Sequence, residues 1–169
     1  AEIAREFERF LNRKYAHALG RRPLTIFLIP TTRDRLLPAL RAGLGDIAAG
    51  NRTQTPARRL LADFVLPPSR ADVRELVVTG PGAPTLRSLD DLSGQTVHVR
   101  ASTSYAESLA ALNERFAAEG RAPVQVSLLP DAIEDEDKLE MVHAGLLPIV
   151  VVDDWLARIW QQVLPKITV

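Results

Sequence analysis

Short apolar runs alternate with segments of helical periodicity along most of the chain, and this alternation constrains the fold more than any other feature. Apolar runs that predict strands lie at residues 24–29, 46–50, 74–79, 97–99, 124–128 and 149–152. Between them, apolar residues recur every three to four positions, which is typical of amphipathic helices. Strands that alternate with helices predict an α/β fold with mostly parallel sheets that are flanked by helices.

The turn-rich segment at residues 80–84 separates two similar halves, each of which is a set of βα units. We therefore predict two lobes. Lobe I comprises residues 1–77, with residues 154–169 returning to it, and lobe II comprises residues 78–153. A single flavodoxin-like sheet is the alternative architecture, and a length of 169 residues is compatible with either.

Charge and composition exclude several classes of function. Lys plus Arg equals Asp plus Glu at 21 each, so the overall balance favours neither nucleic acid nor an anionic membrane as a partner. The absence of cysteine excludes thiolate zinc sites and cysteine nucleophiles. His17, His98 and His143 lack metal-ligand spacing, and no phosphate-binding glycine loop occurs. We predict no metal and no cofactor, and we expect a small solute as the ligand.

Three junctions after predicted strands could form a binding site, because ligands of open α/β sheets collect at the carboxyl ends of strands. In residues 50–58, Arg58 lies in the first turn of a short helix and could hold a carboxylate by two hydrogen bonds. In residues 101–105, hydroxyl and N–H groups meet at the start of a helix that Ser104 and Glu107 would cap. In residues 150–154, Asp153 could receive an ammonium group.

Each junction also has a purely structural interpretation. Arg58 would be a solvated surface arginine, residues 102–104 would only cap a helix, and Asp153 would only cap the helix of Trp155. The placement of all three junctions after strands favours the binding site. An enzyme would need an acid or a base in the cleft, and Asp154 and Glu107 are the candidates near it.

At these junctions the sequence resembles the family-3 solute-binding proteins, the periplasmic receptors for polar amino acids. The resemblance lies in residues 34–40, 45–50, 53–58, 63–64, 88–94, 102–103 and 150–153, in the order of the family. It implies a two-lobed periplasmic-binding-protein fold of type II. Ala101 departs from the family, which has a glycine there, and the first strand of the family would lie ahead of Ala1.

The resemblance also implies a role for individual residues. Arg58 would bind the α-carboxylate of the ligand, with Thr53 and Thr103 helping, and Asp153 would receive the α-amino group. Ser102 would contribute from lobe II. The residues that would line the pocket beside them are Gly50 and Asn51.

Residues 100–105 and 143–148 are more similar to the receptor-like domain of membrane-bound lytic transglycosylases of the F type than to free transport receptors. In that subgroup a separate C-terminal domain cleaves peptidoglycan, so this resemblance implies a regulatory sensor that is not itself an enzyme. It also implies a periplasmic or cell-envelope location in a Gram-negative bacterium. The ligand would be an amino acid or a muropeptide-like compound, and the partner a fused catalytic domain or a membrane transporter. A free amino-acid transport receptor and a dehydratase-type enzyme, similar to cyclohexadienyl dehydratases, are the alternatives.

Overall fold

The computed structural model describes residues 2–50, 52–66 and 72–169. The chain divides into two compact units between Thr31 and Thr32. Within the described residues no helix is both long enough and apolar enough to cross a membrane. The predicted α/β class is confirmed by helices that flank a four-stranded sheet.

The first unit contains helices α1, Glu2–Lys14, and α2, Ala16–Leu19. The segment after them, residues 24–29, has no regular secondary structure, so the prediction of a strand there is wrong. The backbone of this segment is hydrogen-bonded to side chains of α1. Asn12 both donates to and accepts from the backbone of Leu24 at 2.8 Å, and Glu8 accepts from the N–H of Ile26 at 2.6 Å. An apolar run becomes a strand only where another strand pairs with it.

The second unit contains the sheet and the remaining helices. Residues 46–50, also predicted as a strand, are irregular, and Ile47 is exposed there. The four later strand predictions are confirmed. In chain order the elements are α3 Arg33–Arg41, α4 Pro56–Arg59, β1 Glu75–Thr79, a 3₁₀ turn Leu89–Leu92, β2 Thr96–Arg100, α5 Ser104–Ala118, β3 Gln125–Leu129, α6 Asp135–His143, β4 Ile149–Asp153 and α7 Asp154–Gln161.

The strand order of the sheet is β1-β4-β2-β3. The pairs β2–β3 and β2–β4 are parallel, as the alternation of strands and helices predicts. The pair β1–β4 is antiparallel, with Glu75 opposite Asp153, so the sheet is mixed. The carboxyl ends of the parallel strands β2 and β4 therefore lie at the same edge, where Arg100 and Asp153 end their strands.

Strand β4 supplies side chains to both hydrophobic cores of the second unit. Val150 and Val152 pack in one core with residues of α6 and α7. Ile149 and Val151 pack in the other with residues of α5. Successive side chains of a strand point to opposite faces, so an uninterrupted apolar run is typical of a strand covered on both sides. The core on the α5 face also contains Leu92, Val97, Val99, Tyr105, Leu109, Phe116 and Val124.

Gly80 packs its backbone closely against α6. A Cβ atom at this position would lie 2.4 Å from the carbonyl oxygen of Val142 and 2.9 Å from its Cγ1. The carbonyl oxygen of Val142 belongs to the backbone of α6, so it cannot move away from an added Cβ as the end of a flexible side chain could. We expect Gly80→Ala to lower the free energy of unfolding by about 1–3 kcal/mol, measured by urea denaturation. Gly45→Ala is the control, because no atom lies within 4 Å of its Cβ position. Equal stability of the two variants would contradict this packing.

Candidate ligand-binding cleft

The short helix α4 places Arg58 as its sequence predicts. Thr55 is the N-cap residue, its Oγ1 accepts a hydrogen bond from the N–H of Arg58 at 3.3 Å, and Pro56 occupies the first turn. The side chain of Arg58 is buried, with 6% of the residue exposed. The interpretation of Arg58 as a solvated surface arginine is therefore wrong.

The guanidinium group of Arg58 connects α4 to the loop after β2 and to α5. Its Nη1 donates to the carbonyl oxygen of Thr53 at 3.0 Å. Its Nη2 donates to the carbonyl oxygen of Ser102 at 3.1 Å and lies 3.1 Å from Oε1 of Glu107. One cation thus joins residues 53–58 to residues 102–107, which are distant in sequence.

Helix α5 begins differently from the prediction. Its N-cap residue is Thr103, and no side chain makes a capping hydrogen bond. The Oγ1 of Thr103 donates instead to the carbonyl oxygen of Arg100 at 2.7 Å. The predicted capping by Ser104 and Glu107 is wrong, because the carboxylate of Glu107 pairs with the cation of Arg58. The carboxylate of Glu107 thus pairs with a full positive charge and not with a neutral backbone N–H group.

Arg58 lines a cleft of about 400 Å³. Ser102 lines it too, and the hydroxyl of Ser102 donates to Oδ1 of Asp131 at 2.5 Å. The other residues that line the cleft are Asp34, Leu37, Pro38, Arg52, Ala57, Leu61, Ala101, Glu107 and Asp131. Two of the predicted site residues are therefore brought together in a space large enough for a small solute.

A smaller polar pocket of about 30 Å³ shares Arg58 with the cleft. Three further predicted site residues line it, namely Thr53, Thr103 and Asp153. Its remaining lining residues are Arg33, Arg52, Arg100, Ser104, Tyr105 and Asp135. One pocket is thus lined by an arginine that could bind an anion and by an aspartate that could bind a cation. These charges complement the α-carboxylate and the α-ammonium group of a free amino acid.

Asp153 ends β4 and directs its carboxylate toward two aromatic side chains. Oδ1 accepts from the hydroxyl of Tyr105 at 3.0 Å, and Oδ2 accepts from Nε1 of Trp155 at 3.3 Å. The carboxylate makes no capping hydrogen bond to α7, so the interpretation of Asp153 as only a helix cap is wrong. Burial raises the pKa of Asp153, against the hydrogen bonds from Tyr105 and Trp155, which lower it.

Two of the predicted site residues are not placed at these cavities. Gly50 lines neither of them, and a Cβ at this position would lie 3.4 Å from Cδ1 of Leu36. Asn51 lies outside the described residues. The role in binding of the predicted residues, including those that the structure brings together, stays a prediction.

A buried charge network beneath the polar pocket was not predicted from the sequence. Arg100 and Lys138 are both fully buried, and both lie within 2.9 Å of Oδ1 of Asp135. Arg100 also pairs with Glu134 at 2.9 Å, and Lys138 donates to the carbonyl oxygen of Val151 at 3.1 Å. The acidic run at residues 134–137, at the start of α6, is the sequence signal that could have indicated this network.

The pKa values of the buried cations in this network are shifted in opposite directions. Burial lowers the pKa of Lys138, against the nearby carboxylate of Asp135, which raises it. Burial also acts to lower the pKa of Arg100, but the hydrogen bond to Glu134 and the charge of Asp135 outweigh it, so that this pKa is raised. Burial and the carboxylates of Asp135 and Asp153 raise the pKa of Tyr105, so its hydroxyl remains a hydrogen-bond donor.

The candidate acids of an enzyme are both engaged in ion pairs. Glu107 lines the cleft but pairs with Arg58. Asp154 lines neither cavity; its Oδ2 lies 3.5 Å from Nη2 of Arg158 and its Oδ1 accepts from the N–H of Arg74 at 3.4 Å. This arrangement gives no specific support to acid–base catalysis.

The chain is similar in sequence to membrane-bound lytic murein transglycosylase F of several bacteria. The protein of Shewanella sp. (strain ANA-3) is 33% identical over 112 residues, which are 66% of this chain and 21% of that protein. The protein of Desulfosudis oleivorans is 30% identical over 136 residues, which are 80% of this chain and 28% of that protein. The chain thus spans about a quarter of the length of these relatives. No family model matches it.

Among solved structures, an ancestral arginine-binding protein bound to arginine has the same fold. It is 22% identical, with a TM-score of 0.66 over 96% of this chain and 66% of that chain. The predicted fold of the amino-acid receptors is therefore confirmed, and so is the resemblance to the F-type lytic transglycosylases. The division into lobes I and II stays a prediction.

The contacts of Arg58 give it a structural role that can be measured without ligand. We expect Arg58→Ala to lower the free energy of unfolding by about 1–3 kcal/mol, because two backbone carbonyls lose a charged donor and Glu107 loses its partner. Arg59→Ala is the matched control, because Arg59 lies in the same helix and is exposed. Urea denaturation of both variants tests this, and equal stabilities would contradict the bridging role of Arg58.

Proposed function

We propose that this chain is a solute-binding module that closes on a small amino-acid-like or peptidoglycan-derived ligand. It acts as the regulatory domain of a larger lytic transglycosylase of the cell envelope and is not itself an enzyme. The observation that carries this proposal is the buried guanidinium of Arg58 between a cleft of about 400 Å³ and the polar pocket of Asp153. Similarity to membrane-bound lytic murein transglycosylase F supports the envelope location and a fused catalytic domain as the partner.

The chemistry of the two cavities fits a zwitterionic ligand. Arg58 binds the α-carboxylate through its planar guanidinium, which matches the two oxygens of a carboxylate. Asp153 receives the α-ammonium group, and this contact gives its half-buried carboxylate a cationic partner. Thr53 and Thr103 line the same polar pocket as these two residues and assist the carboxylate. Gly50 and Asn51 remain part of the proposed site on the resemblance alone.

Closure follows from the position of the predicted lobes. Arg58 belongs to lobe I, whereas Ser102, Thr103 and Asp153 belong to lobe II, so a ligand that touches both binds the closed arrangement more tightly and shifts the population toward it. The contact of Arg58 with Glu107 resembles such a bridge. A ligand carboxylate that takes Arg58 displaces the carboxylate of Glu107.

A free amino-acid transport receptor is the second candidate. The shared fold with an arginine-binding protein favours it. The length of the parent protein separates the two candidates, because a transport receptor lacks the catalytic domain that a lytic transglycosylase has. The dehydratase alternative has no comparable support, and turnover of a prephenate-like substrate by this chain would be needed to revive it.

A thermal-shift screen of the twenty amino acids and of muropeptide fragments tests the proposal. A ligand at a hundredfold excess over its Kd adds about 2.7 kcal/mol to the free energy of unfolding and raises the melting temperature. We expect this shift to disappear in Arg58→Ala, measured against the unliganded melting temperature of the same variant. Glu107→Gln removes the competing carboxylate, so we expect tighter binding in that variant. If no compound shifts the wild-type protein, the proposal is wrong.

The acidity of Asp153 predicts how ligand affinity depends on pH. The ionised carboxylate binds the ammonium group, and burial raises the pKa of Asp153 above its usual value. Lowering the pH through this raised pKa protonates Asp153, so affinity falls at a pH where an ordinary aspartate is still ionised. Calorimetric titrations of the ligand from the screen, at several pH values, measure this. Asp153→Asn should bind weakly and without this acid dependence; an identical pH profile in both proteins would refute the role of Asp153.

A further inference from the structure

Arg52 lines both the cleft and the polar pocket, and its role is not explained by the predicted site. Its Nε is shielded from solvent and has no hydrogen-bond partner among the described residues. In the part of the chain that the structure describes, its guanidinium forms no ion pair. A buried donor without a partner is costly, and such groups concentrate where a ligand or a solvent molecule completes the bonding.

Arg100 also has a buried Nε without a hydrogen-bond partner among the described residues. The other arginines of the two cavities differ from Arg52 because their guanidinium groups form ion pairs. Arg58 pairs with Glu107, and Arg100 pairs with Glu134 and Asp135. The Nε of Arg33 lies 3.1 Å from Oε2 of Glu134. Among the arginines that line these cavities, Arg52 is therefore the one that forms no ion pair with a carboxylate of the described residues.

The surroundings of Arg52 favour an added anion. Burial and the positive charges of Arg58 and Arg33 lower the pKa of Arg52, and only Glu107 acts clearly in the opposite direction. A bound anion would offset both the burial and the repulsion between these cations.

Two carboxylates of the larger cleft do not compensate Arg52. Asp34 is exposed, where solvent screens its charge, and Asp131 accepts a hydrogen bond from Ser102. Neither of them is among the largest influences on the pKa of Arg52. The positive charge at Arg52 is therefore not cancelled by Asp34 or Asp131, and Glu107, the remaining carboxylate of the cleft, is paired with Arg58.

We propose that Arg52 is a second anion-binding residue and that the cleft selects solutes with an acidic group in addition to the α-carboxylate. The proposal rests on the proposed function, in which Arg58 takes the α-carboxylate. The guanidinium of Arg52 pairs with the second acidic group and supplies the partner that its buried Nε lacks. The ligand class is that of dicarboxylic amino acids and small acidic peptides.

Matched acid and amide ligands test this inference by isothermal titration calorimetry. L-Glutamate and L-glutamine, and L-aspartate and L-asparagine, are nearly equal in shape but differ by one negative charge. We expect the wild-type protein to bind each acid at least about tenfold more tightly than its amide. Arg52→Gln should lose this preference and keep its affinity for the amides. Arg59→Gln, which removes an exposed arginine outside both cavities, should retain the preference.

The melting temperature of unliganded Arg52→Gln shows whether the variant is folded. We expect no loss of stability, since Arg52 forms no hydrogen bond or ion pair within the described residues. Equal affinities for acid and amide in the wild-type protein, or a preference that persists in Arg52→Gln, would overturn the inference and leave the proposed function intact. If none of these four amino acids binds but another compound of the screen does, the inference is wrong. If no compound of the screen binds, both proposals are wrong.

Discussion

The carboxylate of Asp135 pairs with two fully buried cations, Arg100 and Lys138. The arrangement of the polar pocket depends on this carboxylate, because Asp135 and Arg100 both line that pocket. Arg100 ends β2, whereas Lys138 lies in α6 and reaches the backbone of β4, so this one anion fastens the helix to two strands. Moving cations out of water is costly, and the cost is offset only when each charge has a close partner. Glu134, which pairs with both Arg100 and Arg33, extends the same network toward the cavities.

Tyr105 connects this network to the candidate site. Its ring lies 5.0 Å from Nζ of Lys138, and its hydroxyl lies 3.3 Å from Asp135 and 3.0 Å from Asp153. Because the raised pKa keeps the hydroxyl protonated, Tyr105 can donate to the carboxylate that ends β4. The orientation of Asp153 is therefore set by packing and hydrogen bonding inside the second unit. A preorganised group loses less conformational freedom when a ligand binds.

Sequence patterns predicted those parts of the fold that depend on local or fully buried features. The run at residues 149–152 is apolar without interruption because both faces of β4 are covered, and Thr55 and Pro56 begin α4 by local chemistry. The runs at residues 24–29 and 46–50 look equally strand-like, but whether an apolar run becomes a strand depends on a partner that no local pattern specifies. Of the candidate site, the predicted residues that line the two cavities are Arg58, Ser102, Thr53, Thr103 and Asp153. The pairing of Arg100 with Asp135, and that of Glu107 with Arg58, join residues far apart in sequence and leave no local signal.

The pairing of Glu107 with Arg58 also bears on the concentration at which such a module responds. A carboxylate attached to the same chain competes at a constant, high effective concentration, whereas a free solute competes at the concentration of its surroundings. A ligand carboxylate that replaces Glu107 at Arg58 forms one ion pair while another is broken. Its net binding free energy is therefore only the difference between two similar ion pairs. In the proposed function this internal competitor sets a response threshold. Scarce solutes would leave the pair of Arg58 and Glu107 intact, and the site would fill only when the solute is abundant.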